Sequence, residues 1–331
     1  MELESLEPGQ ILSKEIFLVG DANLSVDRRG QNYYSLVLNH DGGRQIDGKV
    51  WSDNIGDRIE PGNAVEVLAR VDEYRGRLQL NVQQYRVLEE GEYDPSRYVR
   101  STSIDVDEAF DTMFNWEREE FTNPHFKALM KALRERESFV QDFKISPAAS
   151  FHHHNYRGGL IEHTFEVWRL ADSIYGCYGD QMDRELLLAG AALHDVGKMK
   201  SYDLQAGVSR HTDHGRLLDH IFISASMISN LWDSVVRPEV EGEKAEKAAR
   251  YKALLLHILL SHHGSREWGS PVLPQVPEAV LIHYCDQISA SMRSCFDAVE
   301  VVPDEESWTE KVYIMDSPRK LFVNPRESED F

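Results

Sequence analysis

The sequence predicts an α+β chain of two parts, a small β-barrel followed by an all-helical bundle. Three observations carry this. Up to about Glu90, apolar residues fall in short β-branched and aromatic runs separated by turn signals. From about Asp105 the apolar spacing changes to three and four, the period of a helix. Between Gly158 and Asp286, histidines and aspartates recur against apolar helical runs, where burying them is costly unless something neutralises them.

In the first part the runs are YYSLVLNH (33–40), AVEVLARV (64–71) and LQLNVQQYRVL (78–88). Asp41-Gly42-Gly43, Glu60-Pro61-Gly62 and Arg75-Gly76 supply the turns between them. Short strands with tight turns in so few residues imply a closed barrel. The stretches HDGGRQIDGKVWSDN (40–54) and PGNAVEVLARVDEYRGRLQLNV (61–82) resemble the OB-fold of nucleic-acid-binding proteins, which implies five strands. Tyr33, Tyr34, Trp51, Tyr74 and Tyr85 are the candidates for stacking on bases, and Arg28, Arg29, Arg75 and Arg77 for following a phosphate backbone. Strand aromatics are more often core than platform. Tyr74 with Arg75, at the tip of a hairpin, is the first choice.

In the second part, DVDEAFDTMFNWEREEF and NPHFKALMKALRERESFVQDF read as helices, with Asn123 as cap and Pro124 in the first turn. Further helices are expected near 159–178, 183–195, 213–233, 246–261 and 278–298. The predicted division is a barrel domain over 1–92, an acidic linker and helix over 93–122, a helical domain over 123–300 and an acidic tail over 301–331.

The chain has 331 residues and a formal charge of −20. Binding to nucleic acid usually shows a basic footprint. Residues 11–90 are nearly balanced at −3, whereas 89–120 carry −8 and 297–331 carry −6. The acidity therefore sits mostly in the connector and the tail. The expectation is weak, salt-sensitive strand binding, with site metals adding positive charge. No run approaches the roughly 18–20 apolar residues of a membrane span, so no membrane partner is expected. The start, MELESLEPGQ, lacks the basic and apolar regions of a secretory signal. Cys177, Cys285 and Cys295 show no metal or disulfide spacing. Together these point to the cytoplasm.

The chemistry is carried by GGLIEHT (158–164), AALHDVGK (191–198), LLDHI (217–221), LLSHHGS (259–265) and IHYCDQIS (282–289). They supply His163, the pair His194-Asp195, Lys198, His220, the pair His262-His263 and Asp286. A lone buried histidine is more often a hydrogen-bonded core residue than a ligand. His194-Asp195, His262-His263 and Asp286 are three costly placements in one domain, and a shared cation explains them better than three accidents. Imidazole with carboxylate suits divalent metals that activate water on phosphate esters.

The pattern H…HD…D with HDxGK resembles the HD-domain metal-dependent phosphohydrolases, an all-helical fold. The fuller text, AASFHHHNYRGGLIEHT, LHDVGK, LLDHI, LSHHGSREWGSPVLPQVPEA and HYCDQISASM, is similar to the YhaM-type 3′→5′ exoribonucleases, which join an OB-fold to an HD domain. The resemblance spans most of the chain. It implies His163, His194, Asp195 and Asp286 as core metal ligands, with His220, His262 and His263 around a second ion and Asp195 bridging. Whether His262, His263 or both ligate stays open, the other being a substrate contact or an outer partner. Lys198 has no lone pair for a metal; its expected role is to hold a phosphoryl oxygen, against the alternative of a solvated helix-end lysine. The resemblance places His153, His154 and Tyr156 along the substrate path. Arg266 is a candidate phosphate contact by proximity, with a surface salt bridge as the alternative. Arg210, His211, Thr212 and His214, in the loop before the next helix, are weaker candidates.

The implied cofactor is divalent metal, two ions, with manganese chosen by resemblance and Fe, Co, Zn or Mg also compatible. The implied activity is 3′→5′ exonucleolytic hydrolysis of single-stranded RNA to nucleoside 5′-monophosphates, with DNA as a further substrate to test. Two alternatives are a phosphohydrolase or phosphodiesterase of small or cyclic nucleotides, and a non-catalytic nucleic-acid-binding protein with a structural metal. The barrel argues against the first and the full ligand set with Lys198 against the second. A homo-oligomer is compatible with the sequence.

Overall fold

The computed structural model describes residues 3–74, 76–89, 91–150, 154–205, 208–303, 306–314 and 317–323. The chain folds as two compact units, 1–102 with 204–210, and 103–203 with 211–331. Each has its own apolar cluster.

The first unit is a closed barrel of β1 (Ile11–Val26), β2 (Asn32–Asn39), β3 (Gln45–Trp51), β4 (Ala64–Tyr74) and β5 (Arg77–Val87). Around the barrel the order is β1-β2-β3-β5-β4, with β4 returning to β1. All pairings are antiparallel except β3 with β5, where Asp47, Gly48 and Lys49 face Gln79, Leu80 and Asn81 in parallel. This is an OB-like barrel. The alternation in β4 points Val65, Val67, Ala69 and Val71 inward, against Phe17, Leu36, Leu38, Leu80 and Val82. The long β1 bends because its register shifts twice, between Ser13 and Glu15 and between Val19 and Asp21.

The second unit is helical. It contains α1 (Val106–Phe114), α2 (Pro124–Arg134), α3 (Glu137–Ile145), α4 (Gly159–Tyr178), α5 (Arg184–Leu193) and the single turn α6 (Lys198–Ser201). A hairpin of β6 (Tyr202–Gln205) and β7 (Val208–His211) follows, most of it counted with the first unit. The helical unit resumes with α7 (Asp213–Val235), α8 (Glu243–Ser261) and α9 (Pro277–Glu300). A second hairpin, β8 (Val312–Ile314) with β9 (Ser317–Arg319), gives the acidic tail some regular structure.

Local chemistry accounts for the helix starts. Asp105, Asn123, Asp183 and Thr212 each accept backbone N–H groups of the first turn of α1, α2, α5 and α7. Pro124 occupies the first turn of α2, as the sequence predicts. Residues 186–193 of α5 are buried on every side, which makes α5 the central helix of the unit. Among the described residues no helix is long and apolar enough to cross a membrane.

Two expectations are corrected here. Arg210 and His211 are not loop residues but lie in β7, and the Arg210 guanidinium donates to Gly20 O at 3.1 Å and to Asp21 Oδ1 at 2.8 Å within the first unit. The helix expected over 213–233 is two helical segments joined at Asp219, whose φ of 62° and ψ of 148° are not helical.

Candidate metal centre

Four helices and the turn after α5 bring the ligand candidates together. His163 sits one turn into α4, behind Gly159, where an added Cβ would lie 2.0 Å from His154 O. His194 and Asp195 leave the end of α5 in a turn closed by Lys198 N–H to Asp195 O. Gly197 lets that turn lie on α7: its N–H donates to Ser224 Oγ at 2.8 Å, and a Cβ there would meet His220 O at 2.2 Å. His220 comes from the second segment of α7, His262 and His263 from the end of α8, and Asp286 from α9.

Asp195 is the centre of this arrangement, and its two carboxylate oxygens face different neighbours. Oδ2 lies 3.3 Å from His163 Nε2 and 3.3 Å from His194 Nε2. Oδ1 lies 3.4 Å from His220 Nε2 and 3.5 Å from His262 Nε2. Asp286 Oδ1 adds a contact at 3.1 Å to His163 Nε2. The His263 ring lies 4.4 Å from the His262 ring and 5.0 Å from that of His220. Of the three sets of described residues whose ligand atoms lie close enough to share an ion, two lie around Asp195, His163/His194/Asp195 and His220/His262/His263.

Each of the five imidazoles is held through Nδ1. His194 Nδ1 faces Ala191 O at 2.8 Å, His262 Nδ1 faces Leu259 O at 2.8 Å, and His263 Nδ1 faces Trp268 O at 2.6 Å. A carbonyl only accepts, so these three rings carry their proton on Nδ1 and turn a bare Nε2 lone pair toward the centre. His220 Nδ1 meets the Asp219 carboxylate at 3.0 Å with the same consequence. His163 Nδ1 meets Ser289 Oγ at 2.9 Å, and Ser289 donates its own proton to Glu166 Oε2 at 2.6 Å, so it accepts from His163.

With neither a proton nor a cation between them, lone pairs pointed at one another and at a carboxylate repel. His194 Nε2 and His163 Nε2 are 3.4 Å apart. Asp195 Oδ1, His220 Nε2 and His262 Nε2 are buried without a hydrogen-bond partner. Divalent cations would satisfy these atoms, and imidazole with carboxylate is a donor set for such ions. The residues fit a metal.

The electrostatics agree. Burial works against a charge on His163, yet hydrogen bonds to Asp195 and Asp286 outweigh it and hold the pKa up to about 9, so in the apo protein a proton takes the cation's place. Burial would raise Asp195, but Lys198 and His194 hold it well below the usual carboxylate range. Asp286 is likewise lowered against burial, by its bond to His163. Burial pushes His263 down to about 3, with His262 and His220 adding to it, so it is neutral and free to ligate.

Comparison with known proteins decides the family. Residues 160–291 match the HD domain. The chain is 31% identical over 315 residues to the 3′-5′ exoribonuclease YhaM of Bacillus subtilis, covering 94% of each chain. It is 31% identical over 316 residues to that of Listeria innocua, covering 94% of this chain and 95% of the relative. The chain belongs to the YhaM family. As a member of this exoribonuclease family with an HD phosphohydrolase domain, it is an enzyme.

The remaining candidates of this YhaM-family chain fall in different places. Lys198 lies at the centre's edge with Nζ 2.7 Å from Asp195 Oδ2, and that carboxylate overcomes the cost of burial and raises its pKa. His154 and Tyr156 are buried behind His163 rather than open to solvent. The His154 ring is 5.4 Å from that of His163, its Nε2 is 3.5 Å from Glu166, and Tyr156 donates to Glu162 at 2.9 Å. Arg266 is exposed in the turn after α8. His153 and Arg75 lie outside the described residues.

On the barrel, Tyr74 is exposed at the end of β4. Tyr34 is core, and the Tyr85 hydroxyl bridges Gly56 N and Asp57 O. Tyr33 and Trp51 pair across β2 and β3 with centroids 5.2 Å apart, and Lys49 Nζ stands 5.0 Å from the Tyr33 ring. Sequence reasoning missed Ser289, Glu166 and Asp219. Ser289 had a signal, since it stands three residues after Asp286 and so on the same helix face.

Proposed function

We propose that this chain is a metal-dependent 3′→5′ exonuclease that removes nucleoside 5′-monophosphates from single-stranded RNA, using two divalent ions that His163, His194 and Asp286 on one side of Asp195 and His220, His262 and His263 on the other would hold together with it. The observation that carries the reading is the division of labour within one carboxylate, with two imidazole Nε2 atoms on each oxygen. Asp286 completes the Oδ2 side and His263 the Oδ1 side.

Ions held there supply Lewis acidity to water and to a phosphoryl oxygen, the chemistry of in-line displacement at phosphorus. The protein's own groups do the rest. Five pre-oriented imidazoles and two carboxylates kept ionised hold the positions without reorganising. Lys198, kept charged beside Asp195, takes a phosphoryl oxygen as negative charge grows, a role its ion pair at the site supports. Tyr33 and Trp51 with Lys49 form the barrel's base platform, since stacking accepts any base and the ammonium answers the phosphate. The donor set also fits Fe, Co or Zn, and manganese is the ion we choose for the assay.

The test is a gel assay of 5′-labelled single-stranded RNA with manganese or with chelator, with Asp195→Ala alongside. A ladder shortening from the 3′ end, dependent on metal and absent in the variant, is expected. RNA left intact by the metal-loaded protein, with single-stranded DNA or small nucleotides cleaved instead, would replace this reading with one of those substrates.

A further inference from the structure

Asp219 is the one non-glycine residue within a helix of the described structure that has a positive φ, and its φ of 62° with ψ of 148° lies in a region that belongs essentially to glycine. An aspartate keeps such a conformation only where its surroundings over-determine it. Two bonds do so, both to Oδ1. One accepts the Ile221 N–H at 2.9 Å and caps the helical segment that begins at His220. The other is the contact at 3.0 Å to His220 Nδ1.

The second bond has a chemical consequence. A carboxylate facing Nδ1 fixes the proton there, so the other nitrogen is the lone-pair donor. In His220 that other nitrogen, Nε2, is buried without a hydrogen-bond partner and stands 3.4 Å from Asp195 Oδ1. Two of the other four imidazoles of the centre are aimed by carbonyls within their own helices and one by the carbonyl of Trp268, while His163 is aimed by Ser289. His220 alone is aimed by an ionisable side chain on strained backbone.

We propose that Asp219 is a positioning residue, whose strained conformation is kept because it sets the tautomer and direction of His220 on the Oδ1 side of the centre. This rests on the two-ion reading above. The strain and the alignment are then one device: the kink in α7 delivers the carboxylate to the ring. Because the Asp219 side chain is 63% exposed, replacing it opens no buried void.

Asp219→Gly suits the backbone and removes the carboxylate, whereas Asp219→Asn keeps an acceptor at the same place. Three readouts are needed: thermal stability of the metal-free protein, the His220 tautomer from nitrogen-15 NMR of the metal-free protein, and manganese titration. For Asp219→Gly the melting temperature should hold or rise. His220 should lose its Nδ1–H preference, and affinity for the manganese ion on the Oδ1 side should fall about tenfold or more, the range of lost outer partners of metal ligands. Asp219→Asn should restore the tautomer and most of the affinity. If Asp219→Gly keeps the wild-type tautomer, or only melts earlier with metal binding unchanged, the proposal is overturned. Wild type taking up fewer than two ions would instead sink the two-ion reading, and the metal-free tautomer would still decide the role of Asp219.

Discussion

The two sides of Asp195 are built differently. On the Oδ2 side, His163 and His194 meet two carboxylates, Asp195 itself and Asp286, with Lys198 against the same oxygen. On the Oδ1 side stand three imidazoles, His220, His262 and His263, with one carboxylate oxygen between them. The first side sets two carboxylates beside the charged Lys198, and hydrogen bonds to both carboxylates hold His163 up to about 9 against burial. The second presents imidazole nitrogens, with His263 pushed down to about 3 by burial and its neighbours, and its further carboxylate, Asp219, is taken up by His220 Nδ1 and the Ile221 N–H. A dication gains more from two carboxylates than from one shared between two sites. On the proposed reading the Oδ2 side binds the tighter ion and the Oδ1 side the ion more easily lost. Dilute chelator should therefore remove activity in two stages, the first stripping about one equivalent of metal.

The contrast can be broken most completely at the shared group. Asp195→Ala should leave the protein unable to retain either ion and bring RNA cleavage to background, measured by metal content after gel filtration and by the gel assay. A smaller effect is expected on one side only. Ser289→Ala removes the acceptor that aims His163, and should weaken the tighter ion by about 10- to 100-fold in titration while the weaker one changes little. Gly197→Ala tests the packing that joins the sides, since its methyl would strike His220 O; a loss of about 1–3 kcal/mol in denaturant unfolding is expected. The smallest disturbance to the centre should come from Trp51→Ala. It should lower RNA affinity by about tenfold in a binding assay with both ions retained, because one stacking surface is lost on the barrel.

The sequence showed these regions unequally. The histidines and aspartates that cluster were legible because such residues against buried helices are expensive, and because the surrounding motifs are specific. What aims the rings was not, since Ala191, Leu259 and Trp268 act through backbone carbonyls that leave no trace in residue type. Asp219 stood in the quoted LLDHI, but nothing in a residue string shows a φ of 62°. In the barrel, β2, β4 and β5 followed from alternation. The longest strand, β1, did not, because bulges near Lys14 and Gly20 shift which residues point inward and scramble the period of two. The sequence offered five aromatics without distinguishing them, and only the fold separates the paired Tyr33 and Trp51 from the buried Tyr34 and the tethered Tyr85.

The most direct test of the divided centre is the manganese content of three proteins, wild type, Asp286→Ala and His262→Ala, each loaded, desalted and measured by atomic emission. The account predicts about two ions per chain in wild type. It predicts about one in His262→Ala, held with near wild-type affinity, and about one in Asp286→Ala, held more weakly. A single ion in wild type, lost equally in both variants, would contradict it and reduce the centre to one shared site.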